Sequence, residues 1–482
     1  MDGCGNCRIP PGCAGPNGAE NSTASVRDGR TTAPARPVPP DTTVPPRLPR
    51  PLFSPPHEPV RTGEFSATVF EPMKVLTVSN LYPPHELGGY ELRCFTLVEG
   101  LLAGGHEVHV LTSDHRVPGR PETPEKGITR TLRIHGMYGH PWLPIWKLYQ
   151  LERHNHRVFR EQLRLHKPDL IHIWNMGGLS KSLLHDAEQS GIPVAYDISD
   201  HWVARSIRAD VWLSWWNTPG SAARRLGRKL LEMLGIRRLL DRDTPTGSWD
   251  RFLFRRMYFC SRFIRDVTAS KGWPVADATF IHCGIDAGAF TVKTDWSRFE
   301  KLLWVGRINE EKDPWTAVRA LAEAHSRGHK QLTLDLYGNG TPEDLGRLES
   351  EIKSLGLEGH VSRRTLPPPE MPGLYAKYDA LLFTSNWGEP FALTPLEAGA
   401  AALPVISSLD GGQKELVRDG ENSIQATAAD PVSYANGIDR LAADPALRER
   451  VATNARREVI DNFTSGQKTR EIEAYLKASI TS

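Results

Sequence analysis

MKVLTVSNLYPPHELGGYELRCFTLVEGLLAGGHEVHVLTSD, residues 73–114, contains two apolar runs and the amphipathic stretch that joins them. Residues 74–79 and 107–111 read as strands. Residues 90–103 read as a helix that offers Leu92, Phe95, Leu97, Val98, Leu101 and Leu102 to a core, ended by Gly104-Gly105. Further strands are expected at 169–174 and 193–198, each after a helical stretch and a turn signal. Strand alternating with helix implies a parallel sheet covered on both faces. A second such series starts near Leu302, after the turn Gly284-Ile285-Asp286. The fold class is therefore α/β, with two Rossmann-like halves facing across a cleft. The expected divisions are a leader at 1–72, a first domain at 73–296, a second at 297–462, and a closing segment at 463–482 that crosses back to the first.

Within the second half, GEPFALTPLEAGA (residues 388–400) places seven residues between Glu389 and Glu397. Thr394 reads as a helix cap, Pro395 as the first helical residue and Glu397 as the acid of a capping box. The amides of Phe391, Ala392 and Leu393 would then point out of the helix start, where an anion is favoured. Glu389, just before them, could accept hydroxyls. Upstream, VGRINEEK (residues 305–312) follows a short apolar strand at 302–305, and a helix starts near Pro314. Gly306 ends that strand. Arg307 offers a bidentate fork and Lys312 a mobile charge, both suited to phosphate oxygens at the carboxyl edge of a parallel sheet.

Taken together, VGRINEEK, LYGNG (336–340), the run from PPPEMPG through GEPFALTPLEAGA, and PVISSLDGGQKELVRDGENS resemble glycosyltransferase family 4, the GT-B enzymes with an E-x7-E pattern. In the first half, residues 73–114, KPDLIHIW (167–174) and IHCGIDAGAF (281–290) are similar to the same family, so the likeness spans 73–480. It implies a retaining hexosyltransferase whose donor, a nucleoside-diphosphate sugar, is a substrate and not a cofactor. It also implies that Arg307 and Lys312 neutralise the diphosphate and Glu389 holds the transferred sugar. Glu397 would take the ribose hydroxyls, and the backbone from Phe391 through Ala392 and Leu393 to Thr394 would approach phosphate and sugar. Gly88-Gly89 would let the first half close on the diphosphate; read without the family, the pair is a helix-start turn with positive φ. No acidic pair stands where a bridging metal would sit, so the two cations are expected to act without one. The base would be read by backbone near 361–367, with UDP favoured over GDP.

One stretch departs from the family pattern. PVAYDISDHW (193–202) puts Ser199 where many members carry histidine, while Asp200 and Trp202 fit. Asp200 is expected to touch a sugar hydroxyl or the acceptor. His201 could serve instead if the loop is shifted, or be a loop histidine with no part in the reaction.

Composition sets the remaining limits. The chain has 482 residues and a formal net charge of +2, too balanced for a nucleic-acid protein. Its leader holds 15 of the 38 prolines and reads as disordered and dispensable, with Met73 an alternative start. Cys4, Cys7 and Cys13 cluster in that leader without a second pair to complete a zinc site, whereas Cys94, Cys260 and Cys283 are scattered. No disulfide framework results, and the expected compartment is the cytoplasm. No window reaches membrane-spanning length. Between Trp202 and Asp250, Trp212, Trp215 and Trp216 read as a sugar-stacking group or as packing anchors. Residues 222–242 form a basic amphipathic stretch that is either solvated against its own domain or a peripheral membrane contact. The acceptor could be a carbohydrate, a lipid-linked sugar or a small molecule. An epimerase, a phosphorylase and a non-catalytic homologue share the architecture.

Overall fold

Two parallel sheets organise the described residues, and each buries its apolar strands between helical layers on its two faces. The computed structural model describes residues 71–120, 126–136 and 143–481. Apart from Glu71 and Pro72, the leader with its three cysteines lies outside them. In the first sheet the strands are β1 (Lys74–Val78), β2 (Glu107–Ser113), β3 (Ile128–Leu132), β4 (Leu170–Ile173), β5 (Val194–Ile198), β6 (Met257–Phe259) and β7 (Thr279–Phe280). The second has β8 (Lys301–Val305), β9 (Thr333–Tyr337), β10 (Val361–Arg364), β11 (Ala380–Phe383), β12 (Val405–Ser408) and β13 (Ile424–Ala426). Among the described residues the orders are β3-β2-β1-β4-β5-β6-β7 and β10-β9-β8-β11-β12-β13, parallel throughout. Both are doubly wound, so each sheet reverses its strand order once, between β1 and β4 and between β8 and β11. Those two reversals are where such sheets open a crevice for ligands.

Side-chain alternation along each strand sends residues to opposite layers. Leu76 and Val78 join Ile171, Ile173 and Ile198 in one core, while Val75 joins Val108, Leu170 and Ala195 in the other. The helix Gly89–Ala103 buries Cys94, Leu97, Val98 and Leu101. Leu92 and Leu102, expected in the core, face solvent at 41% and 44% exposure. The closing helix Ser465–Thr481 packs Ile472 and Leu476 into the first sheet's core, and Glu473 meets His106 at 3.1 Å. The main core of the first half continues through Phe391, Leu396, Val459 and Phe463 of the second.

Trp212 and Trp216 are buried packing anchors, with Trp212 donating to the Pro245 carbonyl at 2.9 Å. Cys94, Cys260 and Cys283 are free and buried. No helix among the described residues is long and apolar enough to cross a membrane.

Candidate functional site

The loops leaving β1, β4, β5, β8 and β11 meet around a cleft of about 430 Å³. From the first half come Asn80, Gly88, Gly89, Glu91, Asn175, Ser199 and Asp200; from the second come Arg307, Lys312, Trp387, Glu389, Phe391, Leu393 and Thr394. Both strand-order reversals thus open on the same space. Among the described residues, no three His, Cys, Asp or Glu side chains converge as a metal site.

Glu389 is buried, and one of its oxygens, Oε2, accepts from Lys312 Nζ at 2.5 Å, Trp387 Nε1 at 2.8 Å and Ser385 Oγ at 2.9 Å. Burial raises the pKa of this carboxyl, but the Lys312 charge and the three hydrogen bonds outweigh it and hold the group below its ordinary value. Its other oxygen, Oε1, carries no hydrogen bond from a described residue. The backbone beneath is clamped by Asp410, which accepts from the Gly388 N–H at 2.7 Å, and by Gly412, whose N–H donates to the Glu389 carbonyl at 2.7 Å. Gly411 has φ +103, and a Cβ there would lie 2.3 Å from that carbonyl oxygen, so no other residue fits without moving the loop. Arg307 reaches the cleft half-exposed, with only a loose approach to Glu311 at 3.6 Å.

The helix after Glu389 starts earlier than the sequence suggested. It spans Leu393–Ala400 with Ala392 as its cap residue and no side-chain cap. Thr394 is therefore inside the first turn, Pro395 is its third residue, and Glu397 cannot close a capping box. The reason lies in the fixed φ of Pro395, which suits any first-turn position and did not set the register. The amides of Phe391, Ala392, Leu393 and Thr394 have no acceptor among the described residues, so the helix start still presents donors. Glu397 is half-buried, receives the Tyr375 hydroxyl and is not among the residues lining the cleft. Burial pushes its carboxyl pKa up, partly offset by that hydroxyl. The capping chemistry expected there occurs across the cleft, where Glu91 accepts from the Gly88 N–H at 2.9 Å.

Neither Gly88 nor Gly89 adopts a positive φ; Gly88 is extended at φ −165. What crowds a side chain at Gly89 is contact between the halves. A Cβ on Gly89 would stand 2.7 Å from Leu393 Cδ1. Gly306, at the end of β8, donates its N–H to the Tyr337 carbonyl at 3.1 Å, which turns Arg307 outward.

On the first half's wall, Ser199 is occupied. It donates to Asp197 Oδ1 at 2.5 Å and receives Arg93, which pairs with Asp197 at 2.7 Å in a buried ion pair. Asp200 lines the cleft, and burial pushes its pKa up to about 6 despite Trp202 N–H, Lys181 and Arg205. His201 turns away, its Nε2 2.8 Å from the Gly388 carbonyl and its ring 5.2 Å from that of Trp387. Other bridges join the halves below the cleft. Ser261 Oγ donates to the Pro390 carbonyl at 2.5 Å, and Glu415 accepts the Arg262 and Phe263 amides at 3.1 and 2.9 Å and His282 Nε2 at 2.9 Å.

Sequence reasoning missed Trp387, Ser385, Asp410 and the Arg93–Asp197 pair. The only signal for Ser385, Trp387 and Asp410 was their position just past strand ends; Arg93 lies within the helix Gly89–Ala103 and Asp197 within β5, where nothing marked them. The stretch near 361–367 is the edge strand β10 and the turn after it, outside the cleft lining.

Two family models match the chain in succession: Glycosyltransferase Family 4 over residues 87–288 and Glycosyl transferases group 1 over residues 293–458. A glycogen synthase of Mycobacterium tuberculosis is 27% identical over 421 residues, 81% of this chain and 91% of its own. A D-inositol 3-phosphate glycosyltransferase of Thermomonospora curvata is 33% identical over 191 residues, 37% of this chain and 43% of its own. Among solved structures, HepE of Anabaena with UDP-glucose superposes with TM-score 0.60 at 19% identity, covering 84% of this chain and 100% of that one. Sucrose-phosphate synthase of Thermosynechococcus elongatus also gives 0.60, at 20% identity over 85% of this chain and 100% of its own.

Proposed function

Because this chain belongs to the GT-B glycosyltransferases of the family 4 type, we propose that its cleft moves a hexosyl group from a nucleoside-diphosphate sugar to an acceptor hydroxyl with retention of configuration. The supporting observation is the meeting of Arg307, Lys312 and Glu389 with Gly88-Gly89 at two opposed strand-order reversals. Cleaving the anomeric C–O bond leaves its electron pair on the diphosphate. Arg307, Lys312 and the amides at the start of Leu393–Ala400 stabilise that charge, so no metal is needed. Glu389, anchored through Oε2, offers Oε1 to the sugar hydroxyls. Glu397, bonded to Tyr375 outside the cleft lining, is assigned to the ribose on the family likeness alone. The acceptor attacks from the face the diphosphate leaves, and Asp200 contacts the sugar or the incoming hydroxyl.

HepE, which shares the fold, binds UDP and UDP-glucose, and this supports a uridine donor as the first to test. The free thiols of Cys94, Cys260 and Cys283 support a reducing compartment such as the cytoplasm. The experiment is incubation with UDP-glucose in EDTA, alone, with orthophosphate and with a panel of hydroxyl acceptors, read by proton NMR. Transfer to an acceptor with the donor's anomeric configuration supports the proposal. A free epimeric nucleotide sugar, a sugar 1-phosphate formed only with orthophosphate, or binding without turnover would each replace it.

A further inference from the structure

The helices Ala222–Met233 and Ile236–Asp243 form a hairpin that buries no residue fully. An ordinary surface helix turns its leucines inward and its arginines to water. This hairpin does so only in part: Leu231 and Leu240 pack against the main core, but guanidiniums share that inner side. Arg228 Nη1 donates to the carbonyls of Trp216 and Thr218, both at 2.8 Å, and to that of Trp215 at 3.2 Å. Arg224 donates to the Ser214 and Trp215 carbonyls. Arg237 bonds Thr246 Oγ1 at 2.9 Å and lies 5.4 Å over the Trp216 ring. Three guanidiniums thus face the domain, two of them satisfying carbonyls at the C-terminal end of the helix Val211–Asn217, where positive charge is favoured.

A second apolar row of the hairpin faces outward. Leu226, Leu230, Met233 and Leu234 follow helical spacing along one face and are 71%, 49%, 78% and 61% exposed; Leu239 of the second helix is 62% exposed. Five of the fifteen large hydrophobic side chains exposed among the described residues fall in this one hairpin. Arg225, Lys229, Arg238 and Arg242 stand exposed beside them, and none ion-pairs with a described residue. Of the acids, Glu232 is held by Arg237, Asp241 by Thr246 and Asp243 by Arg153.

We propose that this hairpin is a docking surface for an anionic lipid bilayer, lying in the headgroup layer with its leucines and Met233 in the acyl boundary. An outward apolar stripe flanked by unpaired cations matches that boundary in both chemistry and sign. The cations' long stems reach from the apolar level up to phosphate headgroups. A second copy of the same face would instead oppose four cations to four cations. No helix among the described residues is long and apolar enough to cross a bilayer, and the contact proposed is peripheral.

The test is co-sedimentation of the full chain with vesicles of phosphatidylcholine alone and of phosphatidylcholine and phosphatidylglycerol in equal parts. Two variants are compared with wild type, Leu226→Ser/Met233→Ser and Lys229→Glu/Arg238→Glu. Both alter exposed side chains, and their thermal melts are expected to match wild type. Wild type should sediment with the anionic vesicles, and each variant should bind them roughly tenfold or more weakly. Absence of sedimentation, or equal binding by Leu226→Ser/Met233→Ser, overturns the proposal. So does a concentration-dependent dimer that this variant abolishes, which would assign the face to a second copy.

Discussion

Lys312 Nζ lies 2.5 Å from Oε2 of Glu389, although the two residues leave different strands, β8 and β11. The pair is largely buried, at 20% and 11% side-chain exposure. Each group fixes the other. The carboxylate holds the ammonium at the cleft wall, and the ammonium keeps the carboxylate ionised.

Removing Lys312 leaves a buried anion without its countercharge. Lys312→Ala should cost about 3 kcal/mol of stability and lower kcat/KM by about a hundredfold or more. The double variant Lys312→Ala/Glu389→Ala should unfold at higher urea than Lys312→Ala alone, because the unpaired charge is gone. Additive losses would show that the pair is not coupled.

Asp200 titrates at about 6 in the folded protein, against about 3.9 in an unfolded chain. The folded state therefore holds the extra proton between those values, and stability falls as pH rises through that window. Asp200→Asn should be the more stable protein at pH 7, by at most about 3 kcal/mol, with the gap closing below about pH 4. Wild-type kcat/KM is expected to show an acid limb near pH 6, and the variant should lack it. Turnover should fall further in Asp200→Asn than in His201→Gln, whose ring faces the Gly388 carbonyl. The reverse order would move the reactive role to the histidine.

Gly89 and Leu393 meet across the cleft, and a Cβ on Gly89 would lie 2.7 Å from Leu393 Cδ1. The clashing atom is the end of a flexible side chain, so Gly89→Ala should be mild. Gly89→Val should raise KM for the donor by about tenfold or more, a loss on the scale of 1–3 kcal/mol for overpacking. Leu393→Ala should restore most of it. Absence of rescue would place the effect within the helix Gly89–Ala103 instead.

Glu415 accepts two amides at the start of the helix Arg262–Ser270 and bonds His282. Burial raises its pKa, but His282 and the amides bring it below the ordinary value. Stability from this group is thus present above its unfolded pKa and lost as pH falls through the folded one. Glu415→Gln should lower stability at pH 7 by about 1 kcal/mol, with the difference vanishing in acid. A gap that persists unchanged at pH 3 would contradict a charged contact.

The central strands were readable because each is a largely apolar run such as 74–78 or 301–305, and the burial that selects such a run acts locally; the polar edge strands β3 and β10 carry no such run. Arg307, Lys312 and Glu389 could be found from their places after strand ends. Their partners could not. Ser385, Trp387 and Asp410 stand on turns whose relative positions depend on how β11 and β12 pair, which a linear pattern does not encode. The register of Leu393–Ala400 was misread because Thr394, Pro395 and Glu397 satisfy a capping pattern that Ala392 takes over without a side chain. The hairpin of 222–243 carries an amphipathic pattern whose period shows two faces but not which one meets the domain. The carbonyls of Trp216 and Thr218 decide that.

Titration calorimetry of UDP-glucose into wild type, Arg307→Ala and Lys312→Ala in EDTA asks whether the cleft's cations receive a diphosphate. Saturable binding by wild type, weakened at least about tenfold in each variant, is the expected result. No binding of any nucleoside-diphosphate sugar by wild type, or equal binding by all three proteins, would contradict it.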